Sequence, residues 1–274
     1  MGIVDIFKKG NGESIKCHPE IKISKTDNGS HGDNIGGLIG FNSVNDEKGR
    51  NFINVIMAKS MTEKTELRTK QYELKSTSLS DNPKLKLRVL TDTKNVISAF
   101  PYLKTNYQLP YSTKEIIEWE HMNKCEAEIK GGGRNTFGFD FFPTDYAVNK
   151  SKYIQNKEIQ LKVSAIAFVV DKIETNQNTE VQFSEDFVSY MPSSNLPRLT
   201  YYDFIGKVIE FEEANIDGLN NGYIAKVKLI NEDADLNFFT IDMFMNKENM
   251  RISSLEKGMK ISGLLWFQGE IANE

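Results

Sequence analysis

Met259-Lys-Ile-Ser-Gly-Leu-Leu-Trp-Phe-Gln-Gly-Glu-Ile271 is the stretch on which the fold turns. Met259, Ile261, Leu265 and Phe267 fall on one side of an extended chain, and Lys260, Ser262, Leu264, Trp266 and Gln268 on the other. A period of two is the signature of a strand. Lys257-Gly258 is a turn into it. Working outward, further strands are expected at 201–213, 223–230 and 236–245, with a short helix near 248–257. Tyr223, Ala225, Val227 and Leu229 share one face. Phe239, Ile241, Met243 and Met245 share a face of the next strand, and Asn220-Asn-Gly222 supplies a hairpin turn.

Upstream, Ile159–Ile173 is the longest strand candidate, and its apolar centre, Ala165–Val170, predicts burial on both faces. Further strands are expected at Phe52–Ala58, Thr65–Lys75, Lys84–Leu90 and Lys124–Lys130, and in the run that ends at Pro143. Ser112 with Glu115 matches a capping box and predicts a helix over Ser112–His121; Thr144 or Asp145 begins a second short helix. Ile3, Ile6 and Phe7 suggest one amphipathic turn, and the Gly/Asn/Asp/Ser-rich tract 10–37 reads as a loop or mobile arm. No internal repeat is evident.

In the C-terminal third, Gly206 early in the first strand, the helix before the final strand, and Lys257-Gly-Met-Lys-Ile-Ser-Gly263 leading into that strand resemble an OB-like barrel. The resemblance covers roughly residues 158–271. The expected class is therefore mainly β: antiparallel sheets with few short helices and an OB-like barrel at the C-terminal end. The expected organisation is an arm at 1–37, a β-rich domain at 38–190 and an OB-like module at 199–274, with Met191–Arg198 as linker or internal loop.

Hydrophobic residues make up 39% of the 274-residue chain and aromatics 11%, enough to fill a core. Two cysteines, Cys17 and Cys125, allow one bridge at most, so no disulfide framework is expected. No membrane-length apolar run and no signal-peptide pattern occurs, and a reducing cytoplasm is the expected setting. Net charge is −4, but residues 50–110 carry a local +6 and residues 199–274 a local −6. That asymmetry marks either a partner surface or two halves that attract each other.

No metal site or cofactor is expected: His18, His31, His121 and the two cysteines lack metal-ligand spacing. Asp140 and Asp145 are the carboxylates placed for acid–base work, but no catalytic constellation accompanies them. The outer strand faces instead suggest binding. Trp266, Leu264, Phe238 and Phe244 are the residues expected to meet a protein partner, as in an inhibitor or immunity protein, unless a second layer covers them. The alternative is an OB-type nucleic-acid or oligosaccharide binder, using Lys84, Lys86 and Arg88 on one strand face and Arg134 after the Gly131-Gly-Gly133 turn.

Overall fold

The computed structural model describes residues 18–26, 29–92, 95–133, 137–156, 158–173, 186–194, 200–216, 219, 221–231 and 238–272. In chain order these form β1 (Glu20–Ser24), a 3-10 turn (His31–Asn34), α1 (Ile35–Ile39), α2 (Phe41–Asn45) and α3 (Glu47–Thr62). Next come β2 (Thr65–Arg68), β3 (Glu73–Ser78), β4 (Leu85–Thr91), β5 (Val96–Leu103), β6 (Gln108–Trp119), β7 (Ala127–Gly132), β8 (Gly138–Pro143), α4 (Tyr146–Gln155) and β9 (Glu158–Lys172). The remainder is β10 (Ser189–Pro192), β11 (Tyr201–Asn215), β12 (Asn221–Lys228), β13 (Thr240–Asn246), a 3-10 turn (Lys247–Asn249) and β14 (Lys260–Ile271). The molecule is mainly β, as its sequence implies. Its ten-stranded sheet is mixed rather than antiparallel, because β1–β6, β13–β9 and β14–β8 pair in parallel.

Several expectations change. Phe52–Ala58 is helical: over the longer span of α3, Phe52, Ile53, Ile56, Met57 and Ser60 recur at helical spacing on the covered side. Asp46 caps it by accepting from Gly49 N at 2.6 Å. Ser112–His121 is not a helix but most of β6, whose backbone is paired to β1, β7 and β9. Thr65–Lys75 is a hairpin, β2 and β3, rather than one strand. Within the expected arm, β1, the His31–Asn34 turn and the start of α1 are formed; residues 3–9 lie outside the described residues. The helix near 248–257 shrinks to the turn Lys247–Asn249.

The large sheet pairs in two circuits that share β9 and β14. One runs β6–β7–β8–β14–β9 and returns to β6; the other runs β11–β12–β13–β9–β14 and returns to β11. Each contains an antiparallel three-strand meander, a helix or turn, and a long strand that is the fourth of its own circuit and the fifth of the other. β9 and β14 pair antiparallel along their length, which explains burial of Ala165–Val170 on nearly every side.

The circuits repeat residue by residue. A shift of 102 positions takes Phe142 to Phe244 and Ile166 to Gln268, and it converts the parallel pair Phe142–Gln268 into Phe244–Ile166. Under the same shift the pair Ala165–Phe267 maps onto itself, marking a local two-fold. On β6 and β11 the shift is 95: Thr105, Tyr107 and Glu115 map to Thr200, Tyr202 and Glu210. Both strands bulge at the same place, between Thr113 and Glu115 and between Val208 and Glu210. The Tyr107 hydroxyl accepts from Phe239 N at 2.9 Å and that of Tyr202 from Asp140 N at 2.7 Å.

The interiors of both circuits form one core that includes Tyr111, Phe139, Phe141, Phe239, Ile241 and Phe267. A second core lies between their outer faces and a layer made of α1, α3 and the antiparallel sheet β2–β3–β4–β5. Phe142 and Phe244, related by the repeat, both pack there, with Trp266 and Ile166 between them in sequence order of the sheet. Gln268 ties the layers: Nε2 donates to Pro101 O at 2.6 Å and Oε1 accepts from Leu103 N at 3.1 Å. Among the described residues no helix is long and apolar enough to cross a membrane.

Candidate functional site

Where the layered sheet stops short of the outer face of β12 and β13, a cleft of about 500 Å³ opens. Pro83 and Lys84, ahead of β4, form one wall. Lys104–Tyr107, between β5 and β6, form another, and the floor is Lys226 of β12 with Thr240 and Asp242 of β13. Strand alternation puts Ala225 and Val227 into the core and so turns Lys226 outward. Asp242 is buried and accepts from Thr105 Oγ1 at 2.7 Å, which pins the Lys104–Tyr107 segment across the opening.

Three cations converge here. Lys84 Nζ lies 2.8 Å from Glu212 and Lys226 Nζ 2.6 Å from Glu210, with all four side chains at least two-fifths exposed. Their hydrogen bonds hold the Glu212 and Glu210 carboxyls below the usual range and raise Lys226. Exposed pairs of this kind contribute little to stability and exchange partners readily. Lys104 is exposed and makes no ion pair among the described residues. A larger hollow of about 690 Å³ beside Lys152, Glu158 and Gln160 has no comparable convergence of charge.

The residues expected to meet ligands are scattered by this geometry. Trp266 and Phe244 are fully buried beneath the N-terminal layer, so neither is presented to a partner; the layer was the competing reading of that face. Leu264 is partly buried against the same core, and Phe238 is partly buried edge-on to Phe137 at 5.3 Å. Lys84 reaches the cleft, but Lys86 pairs with Glu66 at 3.0 Å. Arg88 is no surface cation: it is 3% exposed, donates to Glu270 and Thr144 at 2.9 Å, and lies 3.6 Å over the Tyr102 ring. Burial opposes its charge, yet Tyr102, Glu270 and Glu66 outweigh that and raise its pKa. Arg134 lies outside the described residues.

The carboxylates resolve differently. Burial pushes Asp140 up to about 6 against the pull of Lys130. Asp145 occupies the N-cap position of α4, but its carboxylate accepts from Tyr153 Oη, Asn149 Nδ2 and Ile271 N instead of capping the first turn. Burial, reinforced by Glu270, pushes it up to about 6. His31 is buried among Phe100, Phe142, Trp119 and Trp266, 4.0 Å from Glu126, and His121 contacts Gly29 O at 2.6 Å. Cys125 is a buried free thiol, and Cys17 lies outside the described residues. Among the described residues no three His, Cys, Asp or Glu side chains are grouped to hold a metal ion.

Lys104 and Lys226 escaped the sequence reading. The available signal was the recurrence of Glu115, Lys130 and Asp140 as Glu210, Lys226 and Asp242, each trio lying side by side across three strands. No protein-family model matches the chain, and no curated protein and no solved structure matches it either.

Proposed function

We propose that each pairing circuit is an OB-like barrel and that the chain is a binding protein for single-stranded nucleic acid, held in the Lys84–Lys104–Lys226 cleft. The barrel reading is supported by the order of each circuit: a three-strand meander, a helix or turn, and a fifth strand parallel to the third. In OB folds the outer face of the second and third strands is the one that takes oligonucleotides. β12 and β13 hold those places here, and they form the cleft floor. The observation that carries the reading is the convergence of three lysines from separate elements on that face, with Tyr107 at its rim.

Acidic neighbours do not defeat it. Phosphates compete with Glu210 and Glu212 for exposed ammonium groups, and Lys104 needs no exchange at all. A cytoplasmic setting belongs to the same proposal. The test is fluorescence anisotropy with an end-labelled single strand of about 12 nucleotides. Three phosphate contacts give a log–log salt slope of about −2, and Lys104→Glu flattens it by about 0.7 while weakening all sequences alike. Absence of binding at low salt, or binding indifferent to Lys104→Glu with Lys226→Glu, rejects the reading.

A partner protein is the second reading, supported now by Phe187, Met191 and Phe211, which are 37%, 58% and 37% exposed on or beside β10 and β11. Loss of a captured protein on Met191→Asp with Phe211→Asp, and no nucleic-acid binding, would favour it.

A further inference from the structure

The repeat relates the cleft floor to a second surface. The trio Glu210–Lys226–Asp242 is carried onto Glu115–Lys130–Asp140 with every residue type retained, and both trios lie in cross-strand register on outer faces of their meanders. Lys130 Nζ lies 3.1 Å from Glu115, as Lys226 Nζ lies 2.6 Å from Glu210. The N-terminal region lends each face one further lysine from outside the repeat: Lys84 bonds Glu212 in one, and Lys22 of β1 bonds Glu115 in the other. Lys114, at the bulge of β6, is exposed and close enough to act on Asp140. Beside this trio, the circuit with β6–β8 has Gly132 paired with Gly138, where the circuit with β11–β13 has Lys228 paired with Thr240. Neither glycine carries a side chain over the strand backbone there, Gly138 is exposed, and Tyr190 donates its hydroxyl to Gly138 O at 3.1 Å.

We infer that this face is a second site for single-stranded nucleic acid, with Lys22, Lys114 and Lys130 taking phosphates and the Gly132–Gly138 floor admitting a base. The inference rests on the proposed function of the first cleft. Glycine at both floor positions lets a flat group reach the strand backbone. The positive charge again comes from exposed side chains: Lys22 is half exposed and Lys130 about one-third. Each chain then engages two segments of strand, one per repeat.

The experiment is binding stoichiometry of the full chain, by titration calorimetry at low salt with an oligothymidine of about 8 nucleotides, short enough to fill one site. Two molecules bind per chain. Lys104→Glu with Lys226→Glu leaves one, Lys114→Glu with Lys130→Glu leaves one, and the fourfold variant leaves none. Circular dichroism confirms that each variant is folded, as expected for exposed lysines. One molecule per chain, lost with Lys104 and Lys226 but untouched by Lys114 and Lys130, overturns the second site and keeps the first. No binding by the wild-type chain overturns both.

Discussion

Replacing Arg88 with Met tests whether the two layers are joined through one buried charge. Arg88 sits on β4 of the N-terminal layer, and its guanidinium reaches Glu270 on β14 and Thr144 after β8, as well as Glu66 on β2 and Ser76 on β3. Removing the cation strips Glu270, only 15% exposed, of its ion pair, while Glu66 keeps Lys86 at 3.0 Å. Breaking a buried pair from one side costs about 3–5 kcal/mol, because the abandoned charge stays desolvated. Lost cation–π contact with Tyr102 adds to it. Lys84→Met is the control: it also breaks a bridge between the layers, but an exposed one, and is expected to cost under about 1 kcal/mol. Urea denaturation followed by tryptophan fluorescence reports both, since Trp119 and Trp266 lie in the seam. Equal, small losses for the two variants would refute the reasoning and make the seam's stability a matter of apolar packing alone.

Acidity gives a second prediction. The folded state raises Asp145 and Asp140 from 3.8 to about 6, so between those values it holds protons that the unfolded chain releases. Stability therefore falls as pH rises from 4 to 6, by about 3 kcal/mol for a two-unit shift of the buried Asp145. Glu66 and Glu115 shift the opposite way and withdraw their contribution below their unfolded pKa of 4.5, so denaturant midpoints should peak at about pH 4 to 4.5. Asp145→Asn should shrink the fall between about pH 4.5 and 6; a wild-type midpoint that climbs over that range would contradict the sign. A third prediction concerns Gly206, where an added Cβ would stand 2.4 Å from Val227 Cγ1. Gly206→Ala should cost about 1–3 kcal/mol by overpacking, and Gly206→Ala with Val227→Ala should recover part of it in the same assay. A neutral Gly206→Ala would show that the strand can shift.

The glycine also shows what was legible. Position 206 corresponds to 111 in the other repeat, and Val227 to Gly131. One repeat packs glycine against valine, the other Tyr111 against glycine, a Cβ at Gly131 falling 2.7 Å from the tyrosine ring. Compensation of this sort conserves volume while erasing residue identity, so the repeat is plain in strand register and faint in sequence. The four C-terminal strands and β9 could be read because each alternates or is wholly apolar over most of its length. α3 was misread because seven residues, Phe52–Ala58, are too few to separate a helical stripe from a buried strand. At Ser112–Glu115 a local capping signal lost to hydrogen bonding along both edges of β6. The cleft was half visible: Lys84 stood out on an alternating strand, whereas Lys104 and Lys226 reach it from positions distant in sequence.

The shared strands have a consequence for synthesis. The circuit with β6, β7 and β8 begins early in the chain, yet its pairing Phe142–Gln268 needs a residue made 126 positions later (268 minus 142). At roughly 5–20 residues per second the ribosome takes about 6–25 s to supply it. Through that interval β8 and β9 have exposed edges and an unfilled interior, the condition under which nascent strands pair with the wrong neighbour. Neither repeat can complete its pairing alone, so the first half of the chain waits for the second half to arrive.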